Sequence, residues 1–232
     1  MTGVENFAGL HSDVGGRGRG APVGATALHE TGFFRDREVF DALRESALPR
    51  LIEANGATRR LHVWCAACST GQEAYSVAML LRENLADELT EWGIRIVATD
   101  IADDAVEYAR RGRYRRAEVN RGLPARLLVR YFVRDGEEWE VVPELRAMCE
   151  FRQTDVCHPN ADTEQFDLVL MRNVLLFLPE RDRAAAFEVA HRRMARHGVL
   201  VLGQAEQAED STDLFEPEYV SGCCFYRKAG KS

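Results

Sequence analysis

The chain has 232 residues, of which 46% are hydrophobic and 29% are charged. This balance is typical of a globular protein, and at roughly 100–200 residues per domain the length allows one large domain or two small ones. Acidic residues outnumber basic residues by 37 to 30, which gives a net charge of −7. Because binding to phosphates needs a basic surface, this charge argues against a nucleic-acid partner.

The sequence also argues against export and membrane insertion. No apolar run reaches the ~18 residues of a membrane span, and the first residues lack the basic and apolar regions of a secretory signal. We therefore expect a cytoplasmic protein whose six cysteines are reduced thiols. Cys65 and Cys68 form a C-x-x-C pair, but no second pair of ligands completes a zinc site, so no metal is expected.

Residues 1–25 are rich in small residues and have no hydrophobic period, which predicts a flexible leader. Residues 26–228 are predicted to form one domain. It opens with helical spacing over 33–54, with a break or kink at Pro49. Strands are predicted at 61–66, 94–100, 166–173, 198–203 and 223–228, with helices from Glu73 and over 103–112 and 179–198.

Strands that alternate with helices are typical of βαβ units. They predict an α/β fold with a mainly parallel, twisted sheet and helices on both faces. One segment departs from this alternation, because two β-rich runs flank Asp135-Gly136 and predict a hairpin. We expect a small antiparallel β-hairpin lobe at about residues 129–148.

Open α/β sheets bind ligands at the carboxyl ends of their strands. The turn at 67–71 consists of small residues, which either admit a ligand closely or simply form a tight turn. Glu73 disfavours a pyrophosphate at the next helix but suits a cationic ligand. Asp100 can accept both hydroxyls of a ribose, or it can cap the following helix. Together these features favour an adenosyl ligand without phosphates, of which S-adenosylmethionine is the commonest.

Five segments, in this order, resemble a known family. They are T-G-F-F-R (31–35), W-C-A-A-C-S-T-G-Q-E-A-Y-S-V-A (64–78), A-T-D-I with A-R-R-G-R-Y (98–101 and 109–114), F-D-L-V-L-M-R-N-V (166–174) and G-Q-A-E (203–206) before F-Y-R-K. The chain resembles the CheR family, whose members use S-adenosylmethionine to esterify glutamate side chains of bacterial chemoreceptors. The resemblance covers about residues 29–228 and implies a Rossmann-like methyltransferase fold with S-adenosylhomocysteine as product.

The resemblance also implies a set of cofactor-binding residues. They are His29, Thr31, Arg35, Glu73, Asp100, Asp155, Val156, Arg172 and Asn173. In the family, the first three positions and Glu73 serve the methionine end, the Asp100 position binds the ribose, and the 155–156 pair lies near the adenine. His29 replaces the family's Asn. Arg172 and Asn173 lie beside the transferred methyl, and we expect Arg35 and Arg172 to be the catalytic residues.

The acceptor remains open at this point. Phe177 occupies a position where the family has a Tyr, and only the leader precedes the F-F-R box, where the family has a receptor-docking helical bundle. The candidates are a protein glutamate, chemoreceptor or other, a small-molecule acceptor, or a module that binds the cofactor without turnover. A carboxylate is ionised at neutral pH and needs no general base, and Glu206 with Glu209 has no base partner.

Overall fold

The computed structural model describes residues 31–84, 91–158, 163–208, 211 and 213–230. The leader predicted at 1–25 and the cofactor residue predicted at His29 lie outside the described residues, so both stay predictions. No helix among the described ranges is long and apolar enough to cross a membrane.

The described residues contain ten strands and eight α-helices. The strands are β1 (Arg60–Ala66), β2 (Gly93–Asp100), β3 (Arg113–Arg115), β4 (Phe132–Asp135), β5 (Glu138–Val141), β6 (Cys149–Gln153), β7 (Phe166–Met171), β8 (Met194–Leu202), β9 (Phe215–Val220) and β10 (Cys223–Lys228). The helices are α1 (Arg37–Ala42), α2 (Leu48–Ala54), α3 (Gln72–Asn84), α4 (Asp103–Arg111), α5 (Arg116–Val119), α6 (Ala125–Tyr131), α7 (Pro143–Arg146) and α8 (Glu180–Arg193).

Seven strands form the main sheet in the order β6-β2-β1-β7-β8-β10-β9. The first five run parallel, and β10 and β9 are antiparallel to their neighbours. Every residue of β7 is buried, as expected for a parallel strand covered on both faces. Val63 belongs to one hydrophobic cluster and the next residue, Trp64, to the other, so core lies on both sides of the sheet. The predicted α/β fold is confirmed.

A second sheet has the order β3-β5-β4 and is antiparallel. The predicted hairpin is present, and Gly136 takes the left-handed φ of 61° that its turn requires. The third strand, β3, lies outside the predicted range of 129–148. Phe33 packs edge-on against Tyr114 and Phe132, with ring centroids 5.0 and 5.5 Å apart, so the F-F-R box is anchored to this lobe.

The helix predicted at 179–198 is too long. α8 ends at Arg193, because Met194 already pairs with Phe166 at the start of β8. Gly198, expected to cap the helix, therefore lies within a strand. A Cβ at this position would come within 2.6 Å of the Met194 side chain, so packing explains the glycine. β9 was not predicted, because Pro217 and its two neighbouring glutamates give the segment the composition of a loop.

The first helix also differs from its prediction. It begins at Arg37 rather than Phe33, because Phe34 and Asp36 have left-handed φ values of 50° and 57°. Pro49 does not break it, since a π-helical turn at Leu43–Ala47 joins α1 to α2. Immediately ahead of the proline, Leu48 donates its backbone N–H to the Leu43 carbonyl five residues back, which is the π-helical pattern.

Candidate active site

The sequence-predicted site residues meet at the carboxyl edge of the parallel strands. Asp100 is the last residue of β2, and Arg172 and Asn173 directly follow β7. Glu73 lies in the first turn of α3, which begins six residues after β1 ends. Strand direction alone explains this convergence, because parallel neighbours all end at the same edge.

Arg172 is the centre of a buried ionic network. One Nη donates to the Glu73 Oε2 at 2.9 Å, and the other donates to the Asp36 Oδ2 at 2.6 Å and to the Arg35 carbonyl at 2.9 Å. The Arg172 side chain is only 1% exposed, and its guanidinium also lies over the Phe40 ring. Both Nη atoms of Arg172 therefore already donate hydrogen bonds to groups of the protein itself.

The F-F-R box supplies one side of this network. Phe34 donates its backbone N–H to the Ser76 Oγ at 2.9 Å, which fixes the box against α3. The left-handed residues on either side of Arg35 turn its carbonyl toward Arg172. Such strained residues persist only where their surroundings hold them, and they cluster at functional sites. Thr31 is half-buried at the start of the described chain.

Glu73 is the carboxylate best placed to meet a cationic ligand. Its side chain is 13% exposed. Burial raises the pKa of this carboxyl above its ordinary value, Arg172 opposes the rise, and the charge of Glu206 adds to it. A ligand cation beside Glu73 would favour the ionised form and so bind more tightly to it.

Asp100 connects the turn after β1 to the start of α4. Its Oδ2 accepts the backbone N–H of Ser69 at 2.7 Å, and its Oδ1 accepts that of Ala102 at 3.0 Å. The N-cap residue of α4 is Ala102, with no side-chain cap, so Asp100 is not the cap. Each carboxylate oxygen retains lone pairs for the hydroxyls of a ribose.

The small residues of the turn at 67–71 are there for two different reasons. Ala67 and Ser69 take left-handed φ values of 58° and 50°, which curl the backbone at the strand end. At Gly71, a Cβ would lie 2.7 Å from the Ala109 Cβ of α4. Helix packing therefore requires this glycine whether or not a ligand approaches the turn.

Asp155 and Val156 follow β6, at the same edge. The Asp155 carboxylate accepts the backbone N–H of Cys157 at 2.8 Å, and it lies 3.3 Å from the His158 Nδ1. Hydrogen bonds to Cys157 and His158 hold the pKa of Asp155 below its ordinary value, although its partial burial opposes them. Val156 is buried in the core beneath. The adenine role of this pair stays a prediction.

Asn173 has a left-handed φ of 58°, and its backbone N–H donates to the Glu206 Oε2 at 2.7 Å. Glu206 and Asp36 are the two site residues that sequence reasoning missed. Asp36 directly follows the F-F-R box, and Glu206 ends the G-Q-A-E segment. The only signal in the sequence was that an acidic residue adjoins each box. The partner of Asp36 is Arg172, 136 residues away, and the partner of Glu206 is Asn173, 33 residues away.

The C-x-x-C pair lies beneath the site rather than in it. Cys65 and Cys68 are buried free thiols, and burial raises the pKa of each well above its ordinary value. Such thiols are poor nucleophiles and poor metal ligands. The described side chains contain no group of three or more candidate ligands around a metal.

Replacing Asp100 by alanine should weaken cofactor binding by about 1–3 kcal/mol, the range of charge-assisted hydrogen bonds. Calorimetry with S-adenosylhomocysteine measures this loss. Asp104→Ala is the matched control, because within the described ranges the Asp104 carboxylate accepts the neighbouring N–H of Ala105 and no other. A variant Asp100→Ala that loses thermal stability but keeps its affinity would make the residue purely structural.

The chemistry of this edge fits a nucleoside with a cationic end. Carboxylates at Asp36, Glu73, Asp100 and Glu206 outnumber the guanidinium groups of Arg35 and Arg172, which suits the sulfonium and ammonium groups of S-adenosylmethionine. Fold and site thus define a methyltransferase that uses this cofactor. The family model for "CheR methyltransferase, SAM binding domain" matches residues 29–221, so the chain belongs to the CheR methyltransferase family.

Several similar proteins are named as chemotaxis protein methyltransferases. Chemotaxis protein methyltransferase 1 of Pseudomonas aeruginosa is 35% identical over 208 residues, which cover 88% of this chain and 76% of the relative. Chemotaxis protein methyltransferase Cher2 of Pseudomonas putida is 32% identical and covers 88% of this chain and 75% of its own. The chemotaxis protein methyltransferase of Listeria monocytogenes is 30% identical over 82% of this chain and 70% of the relative. The resemblance and the cofactor inferred from the sequence are confirmed.

Proposed function

We propose that this methyltransferase esterifies glutamate carboxylates of a chemoreceptor protein. The observation that carries the proposal is that each carboxylate of the site is already engaged. Glu73 and Asp36 accept from Arg172, while Asp100 and Glu206 accept backbone N–H groups. With the remaining lone pairs of Asp100 assigned to the ribose and Glu73 assigned to the cationic end of the cofactor, we assign no general base to the site, which favours an acceptor that is already anionic.

Bound S-adenosylmethionine supplies a methyl group on a positively charged sulfur. We assign Glu73 and Thr31 to the methionine end, Asp100 to the ribose, Asp155 with Val156 to the adenine, and Asn173 to the side beside the methyl. His29 keeps its predicted place at the methionine end. Catalysis then depends chiefly on holding the nucleophile and the methyl in line.

The two arginines take different parts in this proposal. Arg172 is fully buried and both Nη atoms are committed, so we assign it to holding Glu73 and Asp36 in place. Arg35 is partly exposed at the same edge, and its charge, like that of Arg172, opposes the rise in the pKa of Glu73 that burial causes. A guanidinium binds a carboxylate with two parallel hydrogen bonds, and we therefore assign Arg35 to orienting the acceptor.

A protein acceptor is supported by the surface beside the site. Leu176 and Phe177 follow Arg172 by four and five residues and are 58% and 57% exposed. Apolar side chains this exposed, next to a site, are typical of a surface that binds a protein. The two relatives from Pseudomonas are named as chemotaxis protein methyltransferases, which supports a chemoreceptor as the substrate.

Phe177 also supports the second candidate function, methylation of another acceptor. The phenyl ring has no hydroxyl where the resemblance implies a tyrosine, so one polar contact to the acceptor is missing. A different protein or a small molecule would then be the substrate. We propose the cytoplasm as the compartment in either case, because all six cysteines are free thiols.

The chemistry of the product tests the proposal. A methyl ester hydrolyses in mild alkali, whereas N-methyl groups and aryl methyl ethers survive it. After incubation with methyl-labelled cofactor and the cytoplasmic fragment of a chemoreceptor, alkali should release the label from the receptor as volatile methanol. Label that stays on the receptor through this treatment would contradict carboxylate methylation and leave the methyltransferase assignment standing.

A further inference from the structure

Glu206 contributes negative charge to the site, and its carboxylate also accepts more hydrogen bonds than any other acid among the described site residues. Its Oε2 accepts the backbone N–H groups of Asn173 at 2.7 Å and Gly203 at 2.8 Å. Its Oε1 accepts the backbone N–H of Leu175 at 2.7 Å. The residue is only 6% exposed, so water does not offer these donors a substitute.

The three N–H groups belong to the two chain segments that leave β7 and β8. Asn173 carries a left-handed φ, a conformation that Asn adopts more readily than most residues with a side chain. Leu175 opens the 3₁₀ turn Leu175–Phe177, which presents Leu176 and Phe177 to solvent. The conformation of the turn thus depends on a residue about thirty positions further along the chain.

We propose that Glu206 is the positioning residue that holds the 172–177 turn, and with it Arg172, Asn173 and the exposed Leu176–Phe177 pair, in the geometry that methyl transfer needs. The cofactor side and the acceptor side of the site would then be fixed by one carboxylate. The acceptor half of this inference rests on the proposed function, whereas the cofactor half does not.

Two features make the carboxylate hard to replace. An ionised carboxylate is an acceptor at both oxygens, while the amide of Gln presents two N–H donors on one side. In Glu206→Gln, the amide nitrogen would face a backbone N–H. The space is also tight, because a Cβ added at Gly203 would lie 2.7 Å from the Glu206 Oε2 and 2.6 Å from the Asn173 Nδ2.

Asp167 provides a matched control at the opposite edge of the same sheet. It is 8% exposed, and its carboxylate accepts the backbone N–H of His62 at 2.8 Å and lies 2.9 Å from the His197 Nε2. Asp167→Asn therefore removes a buried carboxylate that fixes backbone, far from the 172–177 turn. A purely structural effect should be the same in Glu206→Gln and Asp167→Asn.

Two measurements on the full chain test the inference. In Glu206→Gln, amide hydrogen exchange at Asn173 and Leu175 should accelerate, and the Kd for S-adenosylhomocysteine should rise by about tenfold, the size expected for the net loss of about one hydrogen bond at the site. Asp167→Asn should lower the melting temperature without changing either quantity. With the receptor fragment as substrate, Glu206→Gln should also lower kcat by a larger factor than it changes KM.

Unchanged exchange and affinity in Glu206→Gln, or equal losses in Asp167→Asn, would overturn the inference. If Glu206→Gln does not fold, Glu206→Asp decides the question by the same two measurements, because it keeps the negative charge but shortens the side chain by one methylene. Exchange and cofactor affinity do not depend on the acceptor. A wild-type protein that binds S-adenosylhomocysteine but leaves receptor glutamates unmethylated would therefore refute the proposed function alone.

Discussion

Replacing Arg172 by alanine should destabilise the protein by about 3–5 kcal/mol and abolish methyl transfer, because removing one partner leaves buried charge uncompensated. Glu73 and Asp36 would face each other at 13% and 21% exposure without the cation that both now contact. Chemical denaturation followed by circular dichroism measures the stability, and transfer of labelled methyl measures the activity.

The substitution Arg172→Lys separates charge from geometry. Lysine keeps the positive charge but lacks the planar, forked guanidinium with which Arg172 contacts two carboxylates and a carbonyl at once. We expect this variant to fold and to bind the cofactor weakly. Arg181→Ala is the control, since Arg181 is 87% exposed and surface changes usually stay within about 0.5 kcal/mol. Wild-type stability in Arg172→Ala would contradict the network described above.

Cofactor affinity should depend on pH through Glu73. Its pKa is raised by burial, so the carboxyl becomes protonated at a higher pH than an ordinary glutamate. A neutral Glu73 loses its attraction for the cationic end of the ligand. Below the pKa of Glu73, the affinity for S-adenosylmethionine should therefore fall by about tenfold per pH unit, the limit for coupling to one proton. Calorimetry across the acidic range measures this slope.

Glu73→Gln should bind weakly and without this pH dependence, while the exposed Glu53→Gln should keep the wild-type profile. The stability of the unliganded protein should change with pH in the opposite direction to the cofactor affinity. Because the folded state binds the Glu73 proton more tightly than the unfolded state does, stability falls as pH rises from the unfolded pKa through the folded pKa. An affinity in Glu73→Gln that still follows the wild-type pH profile would assign the titration to another group.

Sequence patterns predicted the elements whose residues are buried on both sides. β1, β2 and β7 are mostly apolar segments, and each lies within two residues of its predicted bounds. The errors came where distant partners decide the local conformation. Residues 194–197 continue the helical composition of α8, but pairing with β7 draws them into a strand. His197, expected near a helix end, therefore lies on β8 beside Asp167.

The site was predictable only in part, for the same reason. Asp100 and Arg172 directly follow strands, where an α/β sheet places its ligand contacts. The links between the boxes are long-range contacts that no local pattern contains. The hydrogen bond from Arg172 to Asp36 and the three backbone hydrogen bonds that Glu206 accepts form only when the fold brings the strand ends together.

The location of the transferred methyl tests the central claim most directly. Wild-type protein is incubated with methyl-labelled S-adenosylmethionine and a chemoreceptor cytoplasmic fragment, and the digested products are mapped by mass spectrometry under acidic conditions that preserve esters. We expect the label on glutamate side chains of the receptor, and no label when Arg172→Ala replaces the wild type. Label on a nitrogen atom, on a small molecule, or on no component of the mixture would contradict it.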